Sequence, residues 1–188
     1  TGHDWYGYRM FACLDALGRV YVWGNNQQGS LGLGHTSVVT TPTLVPFTAD
    51  TPIKAVFDGL MDYTPGTNDL VPDLAESYEV SPDGKTYTFK LRRGIKFHNG
   101  EPCNAQAVKF SFERAGAEKS TNKDKRTFAN LTTQVVDEHT LVVLNKDIDP
   151  DLLFALGQAT SIIVEPKSAD TNATKPVGTG PYQLGAWN

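Results

Sequence analysis

Four consecutive residues, His98-Asn99-Gly100-Glu101, bring an imidazole, a carboxamide and a carboxylate within one turn of chain, a grouping that suggests a metal site. One imidazole and one carboxylate do not close a ligand shell, and Asn-Gly has a sufficient role as a tight turn. His3-Asp4 and His35 are more isolated still and read as surface histidines. Two cysteines, Cys13 and Cys103, sit far apart in the chain. They read as unrelated thiols: a disulfide needs Cα atoms within about 7 Å, and zinc a second cysteine about two to four residues away. No G-x-S-x-G pattern supplies an activated serine. Gly178-Thr179-Gly180 has the texture of a phosphate cradle but lacks the following lysine and helix start, so it reads as a strand approach that requires small residues. Tyr182, Trp187 and Trp23 could stack on a ligand, although filling a core is the commoner fate of such rings. These readings leave no catalytic residue, no metal site and no cofactor, and they assign no ligand-binding residue.

The elements that would position these groups centre on residues 70–102. Tyr87, Phe89 and Leu91 alternate with Thr86, Thr88, Lys90 and Arg92, the period of a strand with one buried and one wet face. Ser81-Pro82-Asp83-Gly84 before it carries turn chemistry, which makes Glu79-Val80 the end of a partner strand. Arg93-Gly94 and Asn99-Gly100 turn the chain again, predicting a third short strand at Ile95-Lys96-Phe97. Upstream, Thr51-Pro52 opens a predicted helix with Ile53, Val56, Phe57, Leu60 and Met61 on one face, ended by Pro65-Gly66. Downstream, Asn104 caps a helix to about Ala117, with Ala105, Val108, Phe112 and Ala115 in a stripe that Phe110 widens. The mixed-charge run 118–126 predicts a solvated loop, with a docking patch for a partner protein as the alternative. Residues 132–136 and 140–144 form a hairpin across Asp137-Glu138-His139. Asp149-Pro150 caps a short helix containing Leu152, Leu153 and Leu156 and stopped by Gly157. Ser161-Ile162-Ile163-Val164 is a last apolar strand, and residues 168–175 have a loop's composition.

The texture of the chain changes near residue 50. Of 38 charged residues only Asp4, Arg9, Asp15, Arg19 and Asp50 fall in the first fifty, which also hold seven of the 17 glycines. Apolar strands at 9–14 and 19–23 predict a hairpin there, followed by the glycine-rich loop 24–34 and an extended piece at Thr43-Leu44-Val45-Pro46-Phe47. The fold class is therefore α+β: an N-terminal antiparallel β-meander over residues 1–48, then a mixed α/β domain over residues 52–188 with antiparallel hairpins and three helices. A net charge of −4 with 20% charged residues gives no electrostatic case for nucleic acid. No apolar run reaches the length of about eighteen residues needed to span a bilayer, so membrane insertion is not expected. The N-terminus lacks a basic region followed by an apolar core.

The order PDLAESYEVSPDGKTYTFKLRRGIKFHNGEP, followed by a helix and later by Val177-Gly178-Thr179-Gly180-Pro181-Tyr182, resembles the peptide and nickel class of solute-binding proteins of bacterial ABC importers, over about residues 52–188. The resemblance implies the smaller peripheral domain of such a protein. It also implies a periplasmic or extracellular parent, a peptide or small solute bound only in the context of the full-length protein, and an ABC permease as partner. Residues 2–47 resemble a single β-propeller repeat of the regulator-of-chromosome-condensation type, with Gly24-Asn25-Asn26 and Leu31-Gly32-Leu33-Gly34 in its tight loops and Ser30 where glutamine is usual. No second copy recurs at a period of about 40 to 60 residues, and a lone blade has no neighbour on which to bury its faces. Exchange-factor or chromatin functions are therefore not carried over. The whole resembles a chimera. Its expected function is a non-catalytic fragment of a solute-binding protein fused to a propeller repeat. The alternative is a structural or interaction module, or an engineered fold without transport activity; hydrolysis is a distant third. Apolar strands without their natural neighbours lead to an expected homo-oligomer through the N-terminal β segment.

Overall fold

The structure, a computed structural model, describes residues 10–14, 20–24, 37–44, 54, 56–64, 67 and 69–183. His3-Asp4, His35, Trp187, the glycine-rich loop, Pro65-Gly66 and most of Thr43–Phe47 lie outside these residues. The chain divides into two compact units, Thr1–Thr51 with Thr64–Asn68, and Pro52–Tyr63 with Asp69–Asn188.

In the first unit, strands β1 (Met10–Leu14), β2 (Val20–Gly24) and β3 (Val39–Leu44) form an antiparallel meander in the order β1-β2-β3. Phe11 stands opposite Trp23 across the first pair. The second pair carries a register shift between Val22 and Gly24.

The second unit is built on a four-stranded antiparallel sheet. Its strands are β6 (Ala75–Val80), β7 (Thr86–Leu91), β8 (Leu131–Asp137) and β9 (Thr140–Asn145), in the order β6-β7-β9-β8. The alternation in β7 decides its facing: Tyr87, Phe89 and Leu91 are buried, whereas Thr86, Thr88 and Lys90 are not. Phe89 pairs with Leu141 and Tyr87 with Val143, so the apolar residues of both central strands line one face. The β6–β7 turn closes through Gly84 N–H to Ser81 O at 2.9 Å, with Gly84 at φ 68°, a conformation that strains residues carrying a Cβ.

Helix α1 (Ala105–Gly116) covers that apolar face with Ala105, Val108 and Phe112. The Asn104 side chain accepts from the Gln106 and Ala107 amides at 3.1 and 3.2 Å, the expected N-cap. Two shorter helices complete the set, α2 (Lys125–Ala129) and α3 (Leu152–Leu156), the latter followed by Gly157 as its C-cap. Antiparallel sheets with three α-helices among the described residues make the protein α+β.

Four local expectations need correction. The helix predicted from Thr51-Pro52 is present at Lys54 and Val56 but does not continue over 57–64: there Met61–Tyr63 is a strand, β4, paired with β5 (Leu70–Pro72). Phe57, Leu60 and Met61 are buried as their spacing suggested, but the carbonyls of Gly59 and Leu60 accept from the Leu74, Asp73 and Ala75 amides, so a non-local ladder takes the groups a helix would have used. Ile95–Phe97 makes only a single bridge, Lys96 to Pro102, because beyond Cys103 the partner chain enters α1 at Ala105 and offers no further residues to pair. Residues 161–164 are a 3₁₀ turn (Ala159–Ser161) running into irregular chain whose amides bond outside any sheet, Ile163 to Asp58 O at 2.9 Å and Val164 to Ser111 Oγ at 3.0 Å. The charged run 118–126 ends inside α2, whose Phe128 packs on Phe112 with ring centroids 5.3 Å apart; a single helical turn is too brief to show periodicity.

Candidate functional site

The polar groups of the second unit converge where the incoming segment 56–62 meets the returning segment 177–181. Gly180 N–H donates to Val56 O at 2.9 Å. The approach is closer still at Gly178, where a Cβ would lie 2.0 Å from Val56 O, so only glycine fits. The glycines of this motif thus serve backbone contact, as the need for small residues suggested, although residues 177–183 form no strand.

The turn 98–101 fastens this junction. His98 N–H donates to Gly178 O at 2.9 Å, and the His98 ring takes part twice: Nδ1 accepts from Gly178 N–H at 3.3 Å, and Nε2 lies 2.8 Å from Gly180 O. An amide donor at Nδ1 and a carbonyl at Nε2 are satisfied together by the neutral tautomer protonated at Nε2. Asn99 Nδ2 donates to Glu165 Oε2 at 3.2 Å, and Glu101 Oε1 pairs with Lys167 Nζ at 2.7 Å. The residues that suggested a metal shell are thus engaged with three different partners of the return path.

Glu165 is the anchor on the far side, 2% exposed. Burial works against its charge, but the amides of Lys167 and Ser168, the Ser168 side chain and the Asn99 carboxamide outweigh it and hold the carboxyl below the usual carboxylate range.

A second group of charges lies along the incoming segment. Lys54 pairs with Asp62, and Lys54 Nζ sits 5.8 Å from the centre of the Tyr63 ring. Asp73 is pushed up to about 7, first by burial and then by the charges of Asp58 and Asp62, against the Gly59 amide and Lys54. Asp58 is also raised by burial, opposed by the Thr179 hydroxyl. Cys103 is a free, buried thiol raised to about 12 by burial and by Asp58 and Asp73, the reverse of what an activated nucleophile requires. Among the described residues no group of three His, Cys, Asp or Glu side chains has the geometry of a metal site. Tyr182 is half-buried, with its hydroxyl unpaired among the described residues.

Sequence reasoning named His98, Asn99 and Glu101 but not their partners. His98 and Gly180 are 82 residues apart, and no local pattern links them. The Asp58, Asp62 and Asp73 group was missed because strand pairing, rather than helical spacing, brings it together.

Residues 69–188 match bacterial extracellular solute-binding proteins, family 5, and the chain belongs to that family. Residues 18–59 match the regulator of chromosome condensation repeat. Among curated relatives, the glutathione-binding protein GsiB of Pectobacterium atrosepticum is 33% identical over 159 residues, covering 79% of this chain and 31% of that protein. GsiB of Salmonella choleraesuis is 38% identical over 120 residues, 61% of this chain and 23% of that one. Among solved structures, the binding protein AgaA from A. tumefaciens R10, in complex with agropinic acid, superposes with a TM-score of 0.67 at 32% identity, covering 74% of this chain and 29% of that one. The chain thus spans about a quarter to a third of the length of the relatives it matches. No helix among the described residues is long and apolar enough to cross a membrane.

Proposed function

We propose that residues 52–188 act as the peripheral, non-catalytic domain of an extracytoplasmic solute-binding protein for ABC-type import of a peptide or nickel complex, joined to a propeller-type repeat over residues 1–48. The observation that carries this reading is the family match over 69–188, within a chain covering under a third of its relatives' length. Glutathione and agropinic acid, named for the relatives, support a small polar solute as the cargo of the parent protein. Ligands are enclosed in concave sites, commonly between domains, and the lobes that would close on the solute lie in parts of the relatives that this chain does not match. The parent works in the periplasm or outside the cell, with an ABC permease as partner. Calorimetric titration with glutathione, a mixed di- and oligopeptide pool and nickel tests the proposal. The expected result is no tight binding by this chain; submicromolar affinity for any of the three overturns the reading of 52–188 as a peripheral domain.

A second reading, an interaction module, draws on the first unit. A three-stranded meander ordered β1-β2-β3 has an edge at β1 and another at β3, and open edges invite pairing with a second chain.

A further inference from the structure

The turn that fastens the junction contains the sole Asn-Gly pair of the sequence. In this dipeptide the backbone nitrogen of the glycine is a nucleophile within reach of the asparagine side-chain carbonyl carbon, and glycine offers no side chain to obstruct it. Both residues are exposed, and nothing lies within 4 Å of the position a Gly100 Cβ would take. Access therefore does not protect the pair. Hydrogen bonding does: Gly100 N–H donates to Phe97 O at 2.8 Å, Asn99 Oδ1 accepts from Glu101 N–H at 3.2 Å, and Asn99 Nδ2 donates to Glu165 Oε2 at 3.2 Å. The nucleophile, the carbonyl oxygen and the leaving nitrogen are each held by a different partner.

We propose that Asn99 is a covalent modification site, a deamidation site guarded by the native turn, whose conversion to a carboxylate unfastens residues 165–168. When the turn opens, the Gly100 nitrogen loses its proton to solvent base and attacks Asn99 Cγ. The new N–Cγ bond closes a succinimide as the Cγ–Nδ2 bond breaks, and the departing nitrogen takes up a proton to leave as ammonia. Water then opens the ring at either carbonyl, giving aspartate or isoaspartate. The net change is one water consumed and one ammonia released.

The product does not fit where the amide did. Glu165 is buried, and its Oε2 receives the Asn99 amide together with Ser168 N–H. A carboxylate at position 99 removes one of those donors and sets a like charge at hydrogen-bond distance. Lys167, which could offset that charge, is already paired with Glu101. Refastening the turn is then opposed, so opening is recorded permanently in the chain.

The test follows the full chain in mildly alkaline buffer by peptide mass spectrometry across residues 97–103, folded and in urea. Conversion in the folded chain should be about tenfold or more slower than in urea, the factor that two hydrogen bonds of ordinary net strength impose. Glu165→Ala, confirmed folded by circular dichroism, should speed conversion of the folded chain several-fold. Equal rates in folded and unfolded chains, or no acceleration in a folded Glu165→Ala chain, overturn the proposal. Should that variant not fold, Asn99→Asp decides: the amides of Lys167 and Ser168 should exchange hydrogen faster than in the unsubstituted chain, and unchanged exchange overturns the unfastening.

Discussion

His98 Nε2 lies 2.8 Å from the carbonyl oxygen of Gly180, while the Nδ1 of the same ring accepts the Gly178 amide at 3.3 Å. One side chain thereby fixes the path by which the chain returns across the domain. His98→Ala leaves both backbone groups without their side-chain partner and should destabilise the domain by about 1–3 kcal/mol. Gly178→Ala forces a methyl group into Val56 O and should cost at least about 3 kcal/mol. Urea denaturation of both variants checks the order; equal stability of Gly178→Ala and the unsubstituted chain contradicts the close crossing.

The central strand sets a larger scale. Phe89 is fully buried between Tyr78, 6.0 Å away ring to ring, and the apolar face shared with Leu141. Phe89→Ala should cost roughly 3–5 kcal/mol. A loss below about 1 kcal/mol in denaturant melts would mean that β7 faces the other way.

Asp73 gives the domain a pH dependence of defined sign. A carboxyl raised in the folded state stays protonated while the unfolded chain has already ionised, so the folded state binds the extra proton between about 4 and about 7. Its contribution to stability is complete below the unfolded value and is lost as pH rises through about 7. Asp73→Asn should match the unsubstituted chain near the acid end of this window and exceed it above neutrality by on the order of 2 kcal/mol, since the asparagine oxygen can still accept from Gly59. Stability curves against pH for the two chains should diverge as pH rises; parallel curves argue against a protonated Asp73.

Deleting residues 1–48 should leave a folded remainder that is more monomeric than the full chain, because β1 and β3, the edge strands of the meander among the described residues, leave with it. Light scattering and circular dichroism read the two outcomes. An unfolded remainder would place the meander in a shared core, and a monomeric full chain would remove the case for association.

What was legible in the sequence was the part of the fold written locally. The alternation Tyr87-Phe89-Leu91, the Ser81–Gly84 turn and the Asn104 cap each state their geometry within a few residues, and each takes that form. Phe57, Leu60 and Met61 show the limit: their spacing marks them as buried, which they are, but both a helix and a tightly enclosed extended chain bury such a set. The decision came from the Asp73, Leu74 and Ala75 amides, more than ten residues on, and no window of helical length contains it. The junction was less legible still. His98, Asn99 and Glu101 were conspicuous as a group, yet their chemistry depends on Gly180, Glu165 and Lys167, and a single sequence does not reveal long-range partners.

The hydrogen bond from Gly180 to Val56, 2.9 Å long, has a consequence for how such a domain can travel. The stretch it encloses begins and ends at one point, so its two leads emerge side by side. A piece of chain with adjoining leads can be spliced into a loop of a foreign scaffold without stretching the host, and can be closed on itself and reopened elsewhere by circular permutation. Residues 56–180, apart from the segment 64–68 that groups with the first unit, therefore begin and end at one point, and recombination that respects the Val56–Gly180 contact leaves the sheet and α1 untouched.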